Sequence, residues 1–290
     1  MLRTILRERL PHHPKLGRNV NLDSRSWAYA LQPKATPVHS VRHESAIGIL
    51  NQGNIGACTG NAAVACAYRL PFYAPGAPAW SFSPDEPGAL NWYRRNTQLD
   101  PFPGTYEPDD TGSDGLTASK VAVEAGIIGG YQMSGDLDSS LQALMDRPGI
   151  TGLPWYNSMF SPSATGLLTV DRSSGLAGGH ELCVDEVVVT DNGVIVGGPN
   201  SWGVEWGAQG RWYLTADDWW SLRQEGGDVY FWTAKSQPAP APAPADGPSW
   251  DEEDLDLWNQ TAAFRAARHT GGPQAVSKAL KVWGAQKGFR

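Results

Sequence analysis

The hydrophobic texture of the chain changes near residue 150, and that change restricts the fold more than any other feature. Before it, residues 58–70 (CTGNAAVACAYRL), 115–127 (GLTASKVAVEAGI) and 136–146 (DLDSSLQALMD) place small or apolar side chains three and four apart, the period of a helix face. After it, 181–190 (ELCVDEVVVT), 194–196 (VIV), 211–214 (RWYL) and 228–233 (DVYFWT) are short β-branched or aromatic runs separated by Gly and Asn turns, as in strands. Helices in one half and strands in the other predict an α+β protein, since a parallel α/β sheet would alternate them. With 41% apolar and 18% charged residues over 290 positions, the chain can bury a sizeable core and is not mainly disordered.

Composition also marks boundaries. Residues 237–248 alternate Pro with Ala and hold no core-forming side chain, so they read as an extended, semi-rigid spacer that ends the domain 46–236. Beyond it, Ser249 and Glu252 form a capping-box pattern, acids crowd the first turn, and Gly271-Gly272 stops a helix; a second, shorter one follows Pro273. Segment 249–290 is too small for its own core and is expected to dock, on the body or on a partner protein. Residues 1–45 hold eight Lys/Arg against three acids, Glu8, Asp23 and Glu44, a net +5 that leaves −12 for the rest of a chain whose total is −7. This basic leader reads as a solvated arm partly packed on its own domain, with the acidic body or an acidic partner as its alternative seats. An overall pI near 5.3 and the lack of a basic patch interleaved with aromatics argue against nucleic acid. No apolar run long enough for a membrane span or a signal peptide is present, and three cysteines, Cys58, Cys66 and Cys183, leave at least one thiol free. A reducing compartment, the cytoplasm, is the expectation, or a phage virion for a chain of viral origin.

One cysteine stands apart. Cys58 follows the glycine-rich run Gln52-Gly53-Asn54-Ile55-Gly56-Ala57 and opens a predicted helix, where unpaired N–H groups and the helix dipole stabilise a thiolate. Cys66 and Cys183 fit ordinary buried packing. A thiolate needs a proton carrier, and six histidines are candidates. His12 and His13 lie in the leader, His39 and His43 just before the glycine-rich run, and His269 beyond the spacer. His180 differs, because it follows Gly178-Gly179 and opens an apolar strand that turns at Asp191-Asn192-Gly193, whose return delivers Asn200. A simple two-residue turn pairs Asn200 nearer Asp185, so a bulge or extra twist at Gly197-Gly198-Pro199 is expected to close the gap to His180.

Gln52 six positions before Cys58, Gly179-His180, and the run NSWGVEWGAQGRWYL from Asn200 resemble the three sequence blocks of papain-like cysteine peptidases, in the order Cys, His, Asn, over about residues 46–235. The resemblance implies a two-lobed fold with a helical N-terminal lobe, an antiparallel β-barrel-like C-terminal lobe and a cleft between them. It implies Cys58 as nucleophile, His180 as general base and then acid, Asn200 as the residue that orients the imidazole, and Gln52 with the Cys58 N–H as the oxyanion hole. Trp202 would cover the His-Asn bond, and Gly56, Gly179 and Trp206 would support the cleft. The reaction would be hydrolysis of peptide bonds in a protein or peptide substrate through a thioester, with no cofactor and no metal. Two positions depart from the family: where relatives commonly carry Trp after the nucleophile and a disulfide-forming Cys three before it, this chain has Thr59 and Ile55, as in bacterial or phage-type members without the usual disulfides. The leader 1–45 resembles, by its place in the chain, the propeptide of secreted relatives and reads as a basic leader or a propeptide-like arm, with no recognisable propeptide motif and no obvious cleavage site.

Other features have plainer readings. Glu107, Asp109, Asp110 and Asp114 form an acidic loop with oxygens of the kind that hold Ca²⁺, but the spacing matches no EF-hand, and Asp114 reads more simply as a helix cap. Trp80, Trp92, Trp155, Trp219 and Trp220 suit either a sugar or peptide groove or aromatic core packing. Three functions stay open: a cysteine endopeptidase, an amidase acting on peptidoglycan stem peptides, and a virion or assembly protein that retains the papain-like fold.

Overall fold

The computed structural model describes residues 5–11, 13–31, 36–74 and 76–235. The spacer 237–248, the segment 249–290, His12 and His269 lie outside the described residues. In chain order the elements are β1 (Ile5–Glu8), β2 (Val20–Asp23), β3 (Val41–Arg42), α1 (Cys58–Ala67), α2 (Glu86–Leu99), α3 (Gly115–Glu124), β4 (Gly130–Met133), α4 (Leu137–Asp146), β5 (Gly149–Tyr156), β6 (Leu176–Val184), β7 (Glu186–Thr190), β8 (Gly193–Pro199), β9 (Arg211–Thr215), α5 (Ala216–Gln224) and β10 (Asp228–Thr233). β1 and β2 pair as a small antiparallel ribbon. The other strands form two four-stranded antiparallel sheets, in the orders β4-β10-β5-β6 and β3-β7-β8-β9, and neither closes on itself among the described residues.

The first sheet is the middle of three layers, and its alternation shows how. Ile150, Cys183, Tyr230 and Trp232 face a core shared with α1, α2 and α3. Their neighbours along the same strands, Leu182, Val184, Val229 and Phe231, face a second core shared with Val187, Val196, Trp212 and Leu214 of the other sheet and with Trp219 of α5. Successive side chains on a strand point to opposite faces, so strands buried on both sides must be apolar at nearly every position. That is why GITGLPWY, LAGGHELCV and DVYFWT carry so few charges. Trp92 of α2 stacks on Trp232 with centroids 5.9 Å apart, a contact that fixes the helical layer on the sheet.

The helix starts have local causes. Asp85, Asp114 and Asp136 cap α2, α3 and α4, each accepting from the backbone N–H three residues on. α1 has no such side-chain cap, and all ten of its residues are buried; its small side chains let α2 approach closely. Reading 58–70, 115–127 and 136–146 as helices therefore holds with shortened ends.

The structure departs from the expected strand 181–190 in one respect that matters for the site. The apolar run is broken at Asp185: β6 ends at Val184 in the first sheet, and β7 begins at Glu186 in the second. The fully buried Asp185 carboxylate holds the break, accepting from Arg69 Nε at 2.6 Å and from Arg211 Nη2 at 2.5 Å. β7 and β8 then pair in unbroken register from Thr190–Gly193 to Glu186–Gly197, with no bulge at Gly197-Gly198-Pro199. Asn200 reaches His180 because the chain changes sheets, which lays β8 across β6; Gly198 passes so close to Cys183 that a side chain there would strike the Cys183 carbonyl.

Candidate active site

Cys58 is the first residue of α1, and its sulfur lies at the seam between the helical layer and the first sheet. The backbone N–H groups of Glu181, Gly17 and Thr59 turn toward the sulfur and favour the thiolate, but burial outweighs them and, with the nearby Glu181 carboxyl, pushes the thiol up to about 12. The sulfur is wholly covered. His180, in the middle of β6, donates through Nε2 to Asn200 Oδ1 at 2.7 Å, while its Nδ1 has no hydrogen-bond partner. Burial pushes the imidazole down to about 4, against the pull of the Asn200 bond. In this state, then, both groups are uncharged at neutral pH. Trp202 stacks on the His180 ring, centroids 4.6 Å apart and 27° from parallel, and Trp155 and Trp206 pack edge-on against Trp202.

Gln52 joins this group through Ser201, a residue the sequence block contains but to which sequence reasoning gave no role. Ser201 Oγ donates to Gln52 Oε1 at 2.5 Å, and the Ser201 N–H donates to Asn200 Oδ1 at 2.7 Å. Ser201 therefore ties the Gln52 carboxamide, through its hydroxyl, to the residue that holds the imidazole, through its N–H. Gln52 Nε2 donates to the Ile55 carbonyl at 2.7 Å and to the Lys15 carbonyl at 3.3 Å. The Gly56 N–H donates to Asp110 at 2.8 Å, and Tyr93 OH donates to the same carboxylate, so one acid of the 107–114 loop braces the turn before Cys58. Thr59, where relatives carry Trp, is buried and accepts from Asn96 of α2 at 3.2 Å.

Nothing local marked the basic leader as part of this site, yet it lies across it. After a turn at 14–15, residues 16–19 run between the two layers. The Arg18 N–H donates to the Gly179 carbonyl at 3.0 Å on the sheet side, and on the helical side Ser113 N–H donates to the Gly17 carbonyl and Asn19 N–H to the Ser113 carbonyl, both at 2.7 Å. A side chain on Gly17 would collide with the Gly56 carbonyl, so only glycine fits directly over the turn that carries the sulfur. Leu16 is buried in the second core, and Lys15 Nζ stands 6.0 Å from the Trp202 ring centroid. Beside this strap, Leu10, Asn19, Gly56, Asp110 and Thr111 line a cavity of about 160 Å³.

The remaining candidates take structural places. Cys66 and Cys183 lie in the first core, where burial raises the Cys66 thiol. Asp114 caps α3, and Trp92, Trp155 and Trp219 are core residues. His43 is buried against the Leu144 carbonyl, away from the thiol.

No family model matches the sequence, and no curated protein matches it. Solved structures do. Xylellain, a cysteine protease from Xylella fastidiosa, superposes with a TM-score of 0.56 at 15% identity over 80% of this chain and 99% of that one. Digestive procathepsin L 3 from the larval midgut of Tenebrio molitor superposes with a TM-score of 0.54 at 13% identity over 76% of this chain and 77% of that one. The chain therefore has the papain-like fold.

Proposed function

We propose that the chain is a cysteine peptidase that hydrolyses peptide bonds through a thioester on Cys58, with His180, Asn200 and Gln52 as its partners. One observation carries the reading: an imidazole fixed through Nε2 and roofed by Trp202 keeps Nδ1 unengaged, on the strand whose next N–H faces the sulfur. With substrate in place of the strap, the Cys58 proton passes to His180 Nδ1 and the thiolate attacks the carbonyl carbon. Gln52 Nε2 and the Cys58 N–H receive the oxyanion; the Lys15 carbonyl now bonded to Gln52 stands in for that oxygen. As the C–N bond breaks, His180 returns the proton to the leaving amine, then takes one from the water that cleaves the thioester. Asn200 holds the ring in the tautomer and orientation both transfers need.

The strap turns its Gly17 N–H toward the sulfur, so a main-chain hydrogen-bond donor stands over Cys58. Full burial of the sulfur also favours a second reading, a scaffold protein that keeps the fold with its site shut. Labelling with an epoxysuccinyl probe and hydrolysis of casein separate the two. Expected are modification of Cys58 with Cys66 and Cys183 spared, and loss of hydrolysis in Cys58→Ala. Hydrolysis that survives Cys58→Ala, or equal labelling of all three thiols, overturns the peptidase; absence of both labelling and hydrolysis supports the scaffold. Digestion of cell-wall stem peptides instead of casein would change the substrate and leave the chemistry intact. No described helix is long and apolar enough to cross a membrane.

A further inference from the structure

The strap is anchored by a buried arginine. Arg18 Nη2 donates to Asp228 Oδ2 at 2.6 Å and to the Gly226 carbonyl at 2.8 Å, and both charged side chains are wholly inaccessible. The Gly152 N–H holds the other Asp228 oxygen at 3.1 Å. Glu181 lies against the same space, fully buried, and neither of its carboxyl oxygens has a hydrogen-bond partner; Arg18 Nε and Nη1 also lack one. The space exists because position 152 is glycine. A Cβ there would stand 2.5 Å from Arg18 Nε, 2.7 Å from Asp228 Oδ1 and 2.8 Å from Glu181 Oε2. The pocket also adjoins the nucleophile, since the N–H groups of Gly17 and Glu181 both turn toward the Cys58 sulfur.

Two acids around one guanidinium, one of them unsatisfied, make a poor structural fixture. A buried ion pair adds little stability over apolar packing, and a buried polar group without a partner costs stability. The strap's main chain, in contrast, is bound the way an extended peptide is bound, by backbone hydrogen bonds on both sides that are indifferent to sequence. Selection in such a cleft falls to the side-chain pockets. We propose that the pocket of Gly152, Glu181 and Asp228 is the specificity subsite of this cleft, that it takes an arginine side chain of a peptide substrate, and that Arg18 occupies it while the cleft is shut. The assignment rests on the peptidase reading for the cleft's role. Burial and the neighbouring Asp228 raise Glu181 well above the usual carboxylate range, and the one carboxylate that bonds the guanidinium directly is Asp228. A planar guanidinium, serving Asp228 and Gly226 while its Nε lies on the Gly152 side with Glu181, fits better than a lysine ammonium.

The test uses the full chain carrying Cys58→Ala, so that no turnover is needed, with Arg18→Ala added to empty the pocket. The probe is the blocked hexapeptide Lys-Leu-Gly-Arg-Asn-Val, together with forms bearing Lys, Leu or Glu in place of its arginine, titrated by calorimetry after circular dichroism confirms folding. Expected is binding of the arginine peptide at least tenfold tighter than the others, with the preference reduced to less than twofold by Asp228→Asn. Binding without that preference, no binding, or a preference that survives Asp228→Asn overturns the proposal. Gly152→Ala in the otherwise native chain is the second arm: expelling the Arg18 side chain raises the rate of Cys58 alkylation by iodoacetamide at least tenfold, and an unchanged rate overturns the proposal. Unfolding of both Arg18→Ala and Gly152→Ala also overturns it, marking Arg18 as a structural ion pair. Arginine-selective binding with an inert Cys58 would uphold the subsite and end the peptidase reading; hydrolysis without arginine preference would do the reverse.

Discussion

A thiol becomes a nucleophile in such a site only when its proton moves to the imidazole, which requires the thiol to be the stronger acid of the two. Here the order is reversed, because burial raises Cys58 to about 12 and lowers His180 to about 4. Both shifts have desolvation as their largest cause, and the backbone that removes the solvent from the sulfur includes Gly17 of the strap. The proton therefore stays on sulfur while the strap is seated. Since alkylation needs the thiolate, the rate at Cys58 in the native chain should climb about tenfold per pH unit and still be rising at pH 10. Iodoacetamide kinetics read by peptide mass spectrometry check this; a plateau below pH 8 would show that the ion pair exists before the strap leaves.

At the scale of single elements, α3 exposes a conflict between capping and burial. Asp114 caps the helix through the Thr117 N–H at 2.8 Å, but burial pushes its carboxyl up to about 7, more than the Thr117 and Asn21 hydrogen bonds pull it down. A carboxyl raised on folding stabilises below its unfolded value and loses that contribution as pH rises through its folded one, so Asp114 lowers stability progressively between about pH 4 and pH 7, by up to about 4 kcal/mol. Asn caps as well as Asp and cannot ionise. Asp114→Asn should therefore reduce the fall in Tm over that interval while leaving Tm at pH 4 within a few degrees; an unchanged slope would place the charge cost elsewhere. Elements of this kind were legible in the sequence because their signals are local. The α3 cap and period, the start of α1 at Cys58 and the turn at Asp191-Asn192-Gly193 each lie within a dozen residues. α2 had no assignment in the sequence, although Asp85 followed by Pro near the first helical position is itself a start signal. The break between β6 and β7 was invisible for a different reason: Asp185 sits inside an apolar run, and the two arginines that make its burial tolerable are 116 and 26 residues away. The papain-like residue pattern identified Cys58, His180, Asn200 and Gln52 as candidates, whereas Arg18 and its pocket depend on contacts spanning 208 and 210 residues and had no local sign.

Asp185 also shows how the whole molecule is held around the cleft. Its carboxylate receives Arg69, just beyond the end of α1, and Arg211 of β9, and its backbone carbonyl receives the His43 N–H, so the helical layer and the second sheet meet at the residue where the chain leaves the first sheet. The same change of sheet brings Asn200 to His180. Burial works against the Asp185 charge, but Arg69 and Arg211 overcome it and hold the carboxyl below the usual range. A carboxyl depressed on folding contributes stability above its unfolded value, near pH 4, and loses it as pH falls through the folded one. Asp185→Asn removes the anion and leaves two buried guanidiniums facing each other, which should cost about 3–5 kcal/mol at pH 7. Urea unfolding of both proteins measures it. The gap should be widest at neutral pH and should narrow on acidification below pH 4, where native Asp185 takes up the proton that makes it resemble asparagine. A gap of equal size at pH 7 and pH 2.5 would mean that the carboxylate acts through shape alone and that its charge does not hold the layers together.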